Sequence, residues 1–488
     1  MSENIKKDAT GIVTKVNDYT WDIPTDYKSG MRVPGRIFVS KKLLASLEHE
    51  TIEQTANVAT LPGIQKYSMA MPDAHSGYGF PIGGVAAFDR YDGIISPGGV
   101  GYDINCGVRI LRTNLTIDDV RPGMKDLIDL LFHEIPAGVG SKSKIRASDK
   151  ELNDAFLHGA KWAVESGYGV KEDIEHCEEN GFIKYADPEK VSEKAKKRGK
   201  PQFGTLGSGN HFLEVQYVEE VFDPEVAKVF GLEKGHVTVM IHCGSRGAGH
   251  QICDDHLKIL ERATRKYGIV LPDRQLACAP AESTEGQNYF KAMASGANYA
   301  WANRQVITHW VRETFSSFFK RDKDELGMDL IYDVAHNVAK LEEHNIDGVK
   351  KMVYVHRKGA TRAFPPGHPD VPAVYRDVGQ PVLIPGSMGT PSFVLHGTEK
   401  AMELSFGSAC HGAGRVSSRT QALRDFNGET IQKELAAKGI SVRATDPSVI
   451  AEEAPGVYKQ SEDVVEVVHQ LGIARKVVRL MPLGVAKG

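Results

Sequence analysis

The chain has 488 residues, 41% hydrophobic and 25% charged, and its 60 Lys+Arg and 63 Asp+Glu leave a formal net charge of −3. These are the proportions of a globular protein with an extensive core. They exclude a strongly polycationic chain, but a local basic groove would be enough to hold a nucleic acid. No apolar run reaches the roughly 20 residues of a membrane span, and MSENIKKDATGI lacks the apolar segment of a signal peptide. Six cysteines make no CxxC pair and no disulfide framework. The expectation is a cytoplasmic protein with reduced thiols and no membrane partner.

In chain order, the first 60 residues read as short strands and turns, with a helix from Lys41 to Ala56. MPDAHSGYGFPIGGVAAFD (71–89) places Asp73 and His75 in a turn and ends in a short apolar strand. Apolar residues returning at three and four predict helices over 117–134 and 149–165. Asp187 and Pro188, in cap and first-turn positions, open a helix ending in KAKKRGK (194–200). That run reads first as a solvated face, although Lys196, Lys197, Arg198 and Lys200 would meet a polyanion passing the next loop. HVTVMIHCGSRGAGH (236–250) is a buried strand emptying into a glycine-rich turn at His242.

Long helices fill 247–267 and 285–321, and DLIYDVAHN (329–337) is an apolar strand ending on a histidine. Strands MVYVH, PVLIP and SFVLH lie between 352 and 396, separated by Gly/Pro turns. HGAGRVSSRTQALRDF (411–426) is a turn entering a helix. Helices near 428–438 and 461–471 precede a last strand that ends at Gly488. No repeat or linker divides the chain, so the expected fold class is mixed α/β, with one catalytic domain over 1–488.

Chemistry concentrates in SPGGVGYDINCGVR (96–109), where Gly98, Gly99, Gly101 and Gly107 surround Asp103 and Cys106. Glycine this dense lets a backbone approach a ligand closely. Asp103 and Cys106 are both metal ligands once deprotonated. Alone, the stretch reads equally as a turn with a buried structural cysteine. The histidines shift that balance. His49, His133, His158, His309 and His469 sit in amphipathic helical patterns, as partly buried or solvated residues do. His211, His242, His336 and His411 instead stand where apolar segments meet small-residue turns, and strand ends are where α/β sheets bind ligands. With Asp103 and Cys106 they make a two-metal constellation at strand ends, since a thiolate or carboxylate can bridge cations roughly 3.5–4 Å apart. No GxxxxGK[ST] phosphate loop is present. The nearest string to the Lys-x-Asp-Gly of lysine-adenylating ligases is Arg90-Tyr91-Asp92-Gly93. Any nucleotide carried covalently therefore needs another nucleophile, and neutral imidazole is one.

Taken together, SPGGVGYDINCGVR, GTLGSGNHFLEVQ, MIHCGSRG, YDVAHN, VHRKGATRAFPP, PGSMGT and CHGAGR resemble the RtcB family of RNA ligases, in family order, from about residue 60 to the end. The resemblance implies an enzyme that joins an RNA 3′-phosphate or 2′,3′-cyclic phosphate to a 5′-hydroxyl with GTP and two manganese ions. Its setting would be tRNA splicing and RNA repair, often with the activator archease. By the same resemblance, Cys106 bridges the metals, one completed by Asp103 and His211 and the other by His242 and His336. His411 accepts GMP. Asn210, Glu214, Asn337, Ser387, Ser392, Tyr458 and Lys487 surround the guanylate, and the backbone of Gly412, Ala413 and Gly414 with Arg415 meets phosphate. Asp73, His75 and Arg362 belong to matching motifs near the RNA termini.

Glu214 also suits guanine physically, because a carboxylate accepts from N1–H and N2–H. A thiolate with three imidazoles favours zinc over manganese on softness, so zinc is expected to bind as well. Two other readings stay open. One is an RNA-end phosphoesterase, metal-dependent or built on His236-Val-Thr238 with His396-Gly-Thr398. The other is a non-catalytic RNA-binding protein with structural metal.

Overall fold

The computed structural model describes residues 11–488, and their strands form two large sheets and two short ladders. The seven-stranded sheet runs Thr14–Asn17, Thr20–Ile23, Gly35–Phe38, Ser68–His75, Ile82–Asp89, Val349–Lys358, Asn337–Ile346. The eight-stranded sheet runs Leu330–Ala335, Gly107–Thr116, His236–Cys243, Phe212–Val221, Ala474–Lys487, Ser392–Gly397, Pro381–Ile384, with Ser441–Ala444 parallel beside the C-terminal strand. His236–Cys243 and Leu330–Ala335 are buried almost throughout. That is why both read as continuous apolar runs rather than alternating ones. One residue, His336, separates Leu330–Ala335 in one sheet from Asn337–Ile346 in the other. The two sheets therefore meet at a histidine.

A 36-residue helix, Thr284–Phe319, packs on the helices Asp149–Glu165 and Arg246–Lys266. It starts where the Ser283 side chain accepts from the Gly286 N–H and stops at left-handed Lys320. Its small and aromatic residues are buried around most of its circumference, as expected of a core helix. From its middle, Arg304 reaches under the sheet seam. Its guanidinium donates to the Asn105 and Cys243 carbonyls, both at 2.8 Å, and to Asp333 Oδ1 at 2.7 Å. Asp333 Oδ2 also accepts from Arg109 Nε at 2.7 Å. All three side chains are fully buried. Removing the shared carboxylate would strand two buried cations. Asp333→Ala is expected to cost on the order of 3–5 kcal/mol of folding stability, read as a lowered urea midpoint.

Several elements differ from the expectations. The helix expected over Lys41–Ala56 is two, Lys41–Ala45 and His49–Val58, because Glu48 takes extended backbone angles. Residues 117–134 break at Pro122 into Ile117–Val120, a 3-10 turn at Arg121–Gly123 and Met124–Glu134. Proline supplies no N–H to continue the first helix. Asp187 caps only the short turn Pro188–Lys190, and the basic helix Glu193–Gly199 has its own cap, Ser192. Asp73 and His75 lie on the strand Ser68–His75, not in a turn. The strand Asn337–Ile346 has no counterpart in the expectations. It pairs with Val349–Lys358 across Asp347 and Gly348, whose φ values of 53° and 85° are those of a two-residue hairpin turn. All six cysteines are free and buried. Among the described residues no helix is long and apolar enough to cross a membrane.

Candidate active site at the sheet seam

Strand register brings the singled-out residues together. Gly107 pairs with Ala335 on one side and Cys243 on the other, so Cys106 and His336, each one residue beyond, emerge at the same end of the sheet. His242 pairs with Val108 and with Phe212, which places His211 beside it. The loop bearing Asp103 and Cys106 is knitted to this end by backbone bonds from Asn105 to Asn337 and from His336 to Cys106, both at 2.7 Å. Asn337 adds a side-chain bond to the Asp103 carbonyl at 3.0 Å.

Ligand atoms of Asp103, Cys106 and His211 all lie within 4.8 Å of one another. Cys106 Sγ stands between two imidazoles, 3.5 Å from His211 Nε2 and 3.1 Å from His242 Nε2. The His336 ring lies 5.5 Å from that of His242. Neighbours fix which nitrogen faces inward: His211 Nδ1 meets the Leu206 carbonyl at 3.1 Å, and His336 Nδ1 meets Thr361 Oγ1 at 2.9 Å. Anchoring one ring nitrogen in this way is how proteins orient metal-binding histidines.

The donor set fits divalent cations on three grounds. His336 Nε2 is buried with no partner, an expensive condition for a polar atom. Burial holds His242 and His336 well below the usual imidazole range, leaving them neutral with a free lone pair. Burial, then the Asp103 charge, pushes the Cys106 thiol up to about 11. A cation is what would make it a thiolate. Burial alone would depress His211, but Cys243, Asp103 and Cys106 overcome it and hold that imidazole well above its usual range.

Beside these groups opens a cavity of about 350 Å³, whose wall includes Asp103, Cys106, Asn210, His242, His336 and Asn337. Strand alternation supplies a second wall: Phe212 and Glu214 project from one strand, Val485 and Lys487 from its neighbour. Glu214 is 2% exposed and accepts from Gln216 Nε2 at 2.5 Å. Burial pushes its carboxyl up to about 8, against the opposing pull of Gln216 and Lys487. Ser387, Tyr458, Gly412, Ala413, Gly414 and Arg415 complete the enclosure.

His411 follows the short strand Ser408–Cys410 and lines the same cavity, its ring 5.2 Å from His336. Beneath it lies buried Asp73. The Asp73 Oδ2 atom accepts from the His411 and Gly412 backbone N–H groups at 3.0 and 3.2 Å, and sits 2.6 Å from His411 Nδ1 without hydrogen-bond alignment. Burial would raise this carboxyl, but the His411 imidazole holds it below the usual range. With Nδ1 beside the aspartate, Nε2 is the ring nitrogen turned away from it. The approach is tight: at Gly414, with φ of +74°, an added Cβ would lie 2.0 Å from the Asp73 carbonyl oxygen.

Not every candidate reaches the cavity. His211 stands behind Asp103 and Cys106. Ser392 is fully buried, accepting from Gln216 at 2.9 Å and from the Gly386 N–H at 3.0 Å. Arg362 is 1% exposed and spends its guanidinium on Glu179 at 2.6 Å and Gln380 at 3.0 Å, away from the cavity. Lys196 pairs with Glu193 and Lys200 with Asp149, which weakens the basic run as a polyanion track. His236 and His396 stand on strands separated by two others, so they form no paired His-x-Thr site. Lys358, inside the VHRKGATRAFPP motif, also lines the wall, and so does Glu453, which no quoted motif contains. Both are placed by long-range packing.

Residues 54–488 match the family described as tRNA-splicing ligase RtcB. A protein of that name from Archaeoglobus fulgidus is 63% identical over 478 residues, covering 98% of this chain and 99% of the relative. Namesakes from Thermococcus kodakarensis and Methanococcus maripaludis are each 59% identical, covering 97% and 98% of this chain and 98% and 99% of their own.

Proposed function

The chain belongs to the RtcB family, and on that footing we propose that it is an RNA ligase of tRNA splicing and RNA repair, joining 3′-phosphate or 2′,3′-cyclic phosphate ends to 5′-hydroxyl ends through a histidine–GMP intermediate. The observation that carries the reading is His411, set between the Asp103/Cys106/histidine cluster and the Glu214 wall of one cavity and backed by Asp73. Residues 1–488 act as one ligase domain in this reading, in the cytoplasm, with RNA as substrate and archease as activator.

Asp103, Cys106, His211, His242 and His336 would hold two manganese ions. When bound, these would neutralise charge developing on the transferred phosphoryl groups. Asp73 orients His411 so that Nε2 attacks the α-phosphorus of GTP, forming an N–P bond as pyrophosphate leaves. A 2′,3′-cyclic end is first opened by water, which breaks the P–O2′ bond and leaves a 3′-phosphate; an oxygen of the RNA 3′-phosphate then attacks the guanylate phosphorus and frees His411. The 5′-hydroxyl finally attacks the RNA phosphate in line, and GMP departs. The N–H groups of Ala413 and Gly414, beside the positive charge of Arg415, would meet phosphate oxygens. Glu214 accepts from guanine N1–H and N2–H.

The test uses GTP labelled at the α-phosphate, with manganese and paired RNA ends. An acid-labile, alkali-stable adduct and a joined product are expected. Hydrolysed RNA ends without an adduct would instead establish the phosphoesterase.

Glu214 makes nucleotide affinity depend on pH. Its carboxyl is protonated below about 8 in the free protein, whereas guanine requires the anion, so binding near neutrality releases a proton. GTP affinity should rise with pH and level off above that value. It should weaken by up to about tenfold per unit below it. Calorimetry in buffers of different ionisation enthalpy reads the released proton directly. Glu214→Gln should abolish that release.

A further inference from the structure

Glu453 is the residue at the nucleotide end of the cavity that nothing above explains. It follows the helix Pro447–Glu452, its side chain is fully buried, and it lines the cavity wall. Three groups from three separate segments converge on its carboxylate. The Tyr458 hydroxyl donates to Oε2, Arg415 Nη1 donates to Oε1 at 3.1 Å, and Lys487 Nζ stands 3.7 Å from Oε2. Arg419 lies further out, at 3.8 Å and mostly exposed. Arg415 also donates to the Tyr458 oxygen at 3.3 Å, so the members brace one another. Burial works against the carboxylate charge, but Lys487, Tyr458 and Arg415 keep it ionised.

Lys487 is the member with something left to give. An ammonium has three donors. The Gly209 carbonyl takes one at 2.8 Å, and Glu453 holds the charge from another side. Among the described residues no other hydrogen bond to this ammonium is found. Register pairs Lys487 with Phe212 and Val485 with Glu214, so the lysine stands one diagonal step from the carboxylate that would face guanine. Guanine presents O6 and N7 as acceptors, whereas adenine presents an amino donor in place of O6. A fixed ammonium there favours one purine. A free one would turn to any phosphate.

We propose that Glu453 is a positioning residue for guanine choice, its buried carboxylate holding Lys487, with Arg415 and Tyr458, so that a remaining donor meets the purine edge. The inference rests on the nucleotide reading above. Without the carboxylate, Arg415 and Lys487 become two uncompensated cations in one cavity. Phosphate attraction then grows while base selection falls.

The experiment is equilibrium binding of GTP and of ATP, each as its α,β-methylene analogue so that no pyrophosphate can leave, to the full-length, manganese-loaded protein and to Glu453→Gln. The parent should prefer GTP. If it does not, the nucleotide reading itself fails. In Glu453→Gln the GTP/ATP affinity ratio should drop at least tenfold with metal content unchanged, and Glu453→Asp, which keeps the charge, should restore most of it. In a Lys487→Met background, Glu453→Gln should lower the ratio no further. A ratio within twofold of the parent in folded Glu453→Gln overturns the proposal, as does equal weakening of both nucleotides. Should Glu453→Gln fail to fold, Lys487→Met alone must show the tenfold loss, and retained selectivity there is equally fatal.

Discussion

His411→Ala is expected to form no GMP adduct and to join no RNA ends, yet to seal RNA that already carries a guanylylated 3′-phosphate. The separation follows from what the imidazole touches. His411 is anchored to Asp73 by its own backbone N–H, with Nδ1 beside the same carboxylate, not to Asp103 or Cys106, and its ring meets His336 only as a neighbour at 5.2 Å. Removing it deletes the proposed nucleophile and leaves the Asp103/Cys106/histidine cluster and the Glu214 wall standing. Loss of a covalent nucleophile should abolish adduct formation, a fall of about 10⁴-fold or more, measured as acid-labile label from α-phosphate GTP. The last step needs no histidine nucleophile, only alignment of the 5′-hydroxyl and charge stabilisation. Sealing of the activated RNA should therefore stay within about tenfold of the parent, since only the packing of one side chain is lost. An adduct that persists in His411→Ala would move the nucleophile elsewhere. A metal-loaded variant that cannot seal activated RNA would give His411 a second role.

The residues of the ligand cluster are legible in the sequence for a physical reason. Where a strand meets a small-residue turn, the side chain at the junction stands at the end of the sheet, and His211, His242, His336 and His411 all lie at or within one residue of a strand end. Register does the rest, through pairings such as Gly107 with Cys243 that no local pattern states. The missed strand Asn337–Ile346 carried a signal, Asp347-Gly348 between two β-rich runs. Reading it would have placed His336 between two sheets rather than at the end of one. Arg362 is a different case. Its motif implies RNA contact, whereas its buried guanidinium bonds to Glu179, Gln380 and the Asp370 carbonyl, away from the cavity. Glu453 was beyond local reading altogether. It sits after a short helix in EEAPG, and its meaning comes from Lys487, 34 positions later, at the end of an interior strand of the eight-stranded sheet.

Cys106→Ala should disturb both metal positions, whereas His336→Ala should chiefly weaken one. The thiol lies within 3.5 Å of His211 Nε2 and within 3.1 Å of His242 Nε2, so it alone stands against the ligands of both proposed positions. His336 approaches from one side only, ring to ring with His242. Were two cations held there, replacing sulfur with a methyl group would leave one to Asp103 and His211 and the other to His242 and His336, with no shared anion to offset their mutual repulsion. Metal analysis of the dialysed variants should show Cys106→Ala holding well under the parent's content, with ligation lost by about 10³-fold or more. His336→Ala should keep the ion nearest Asp103, His211 and Cys106, the three residues whose ligand atoms cluster most closely. Pre-activated RNA gives the sharper readout, because it bypasses His411. Cys106→Ala should fail on that substrate where His411→Ala succeeds, and full metal occupancy in Cys106→Ala would remove the thiolate from its bridging place.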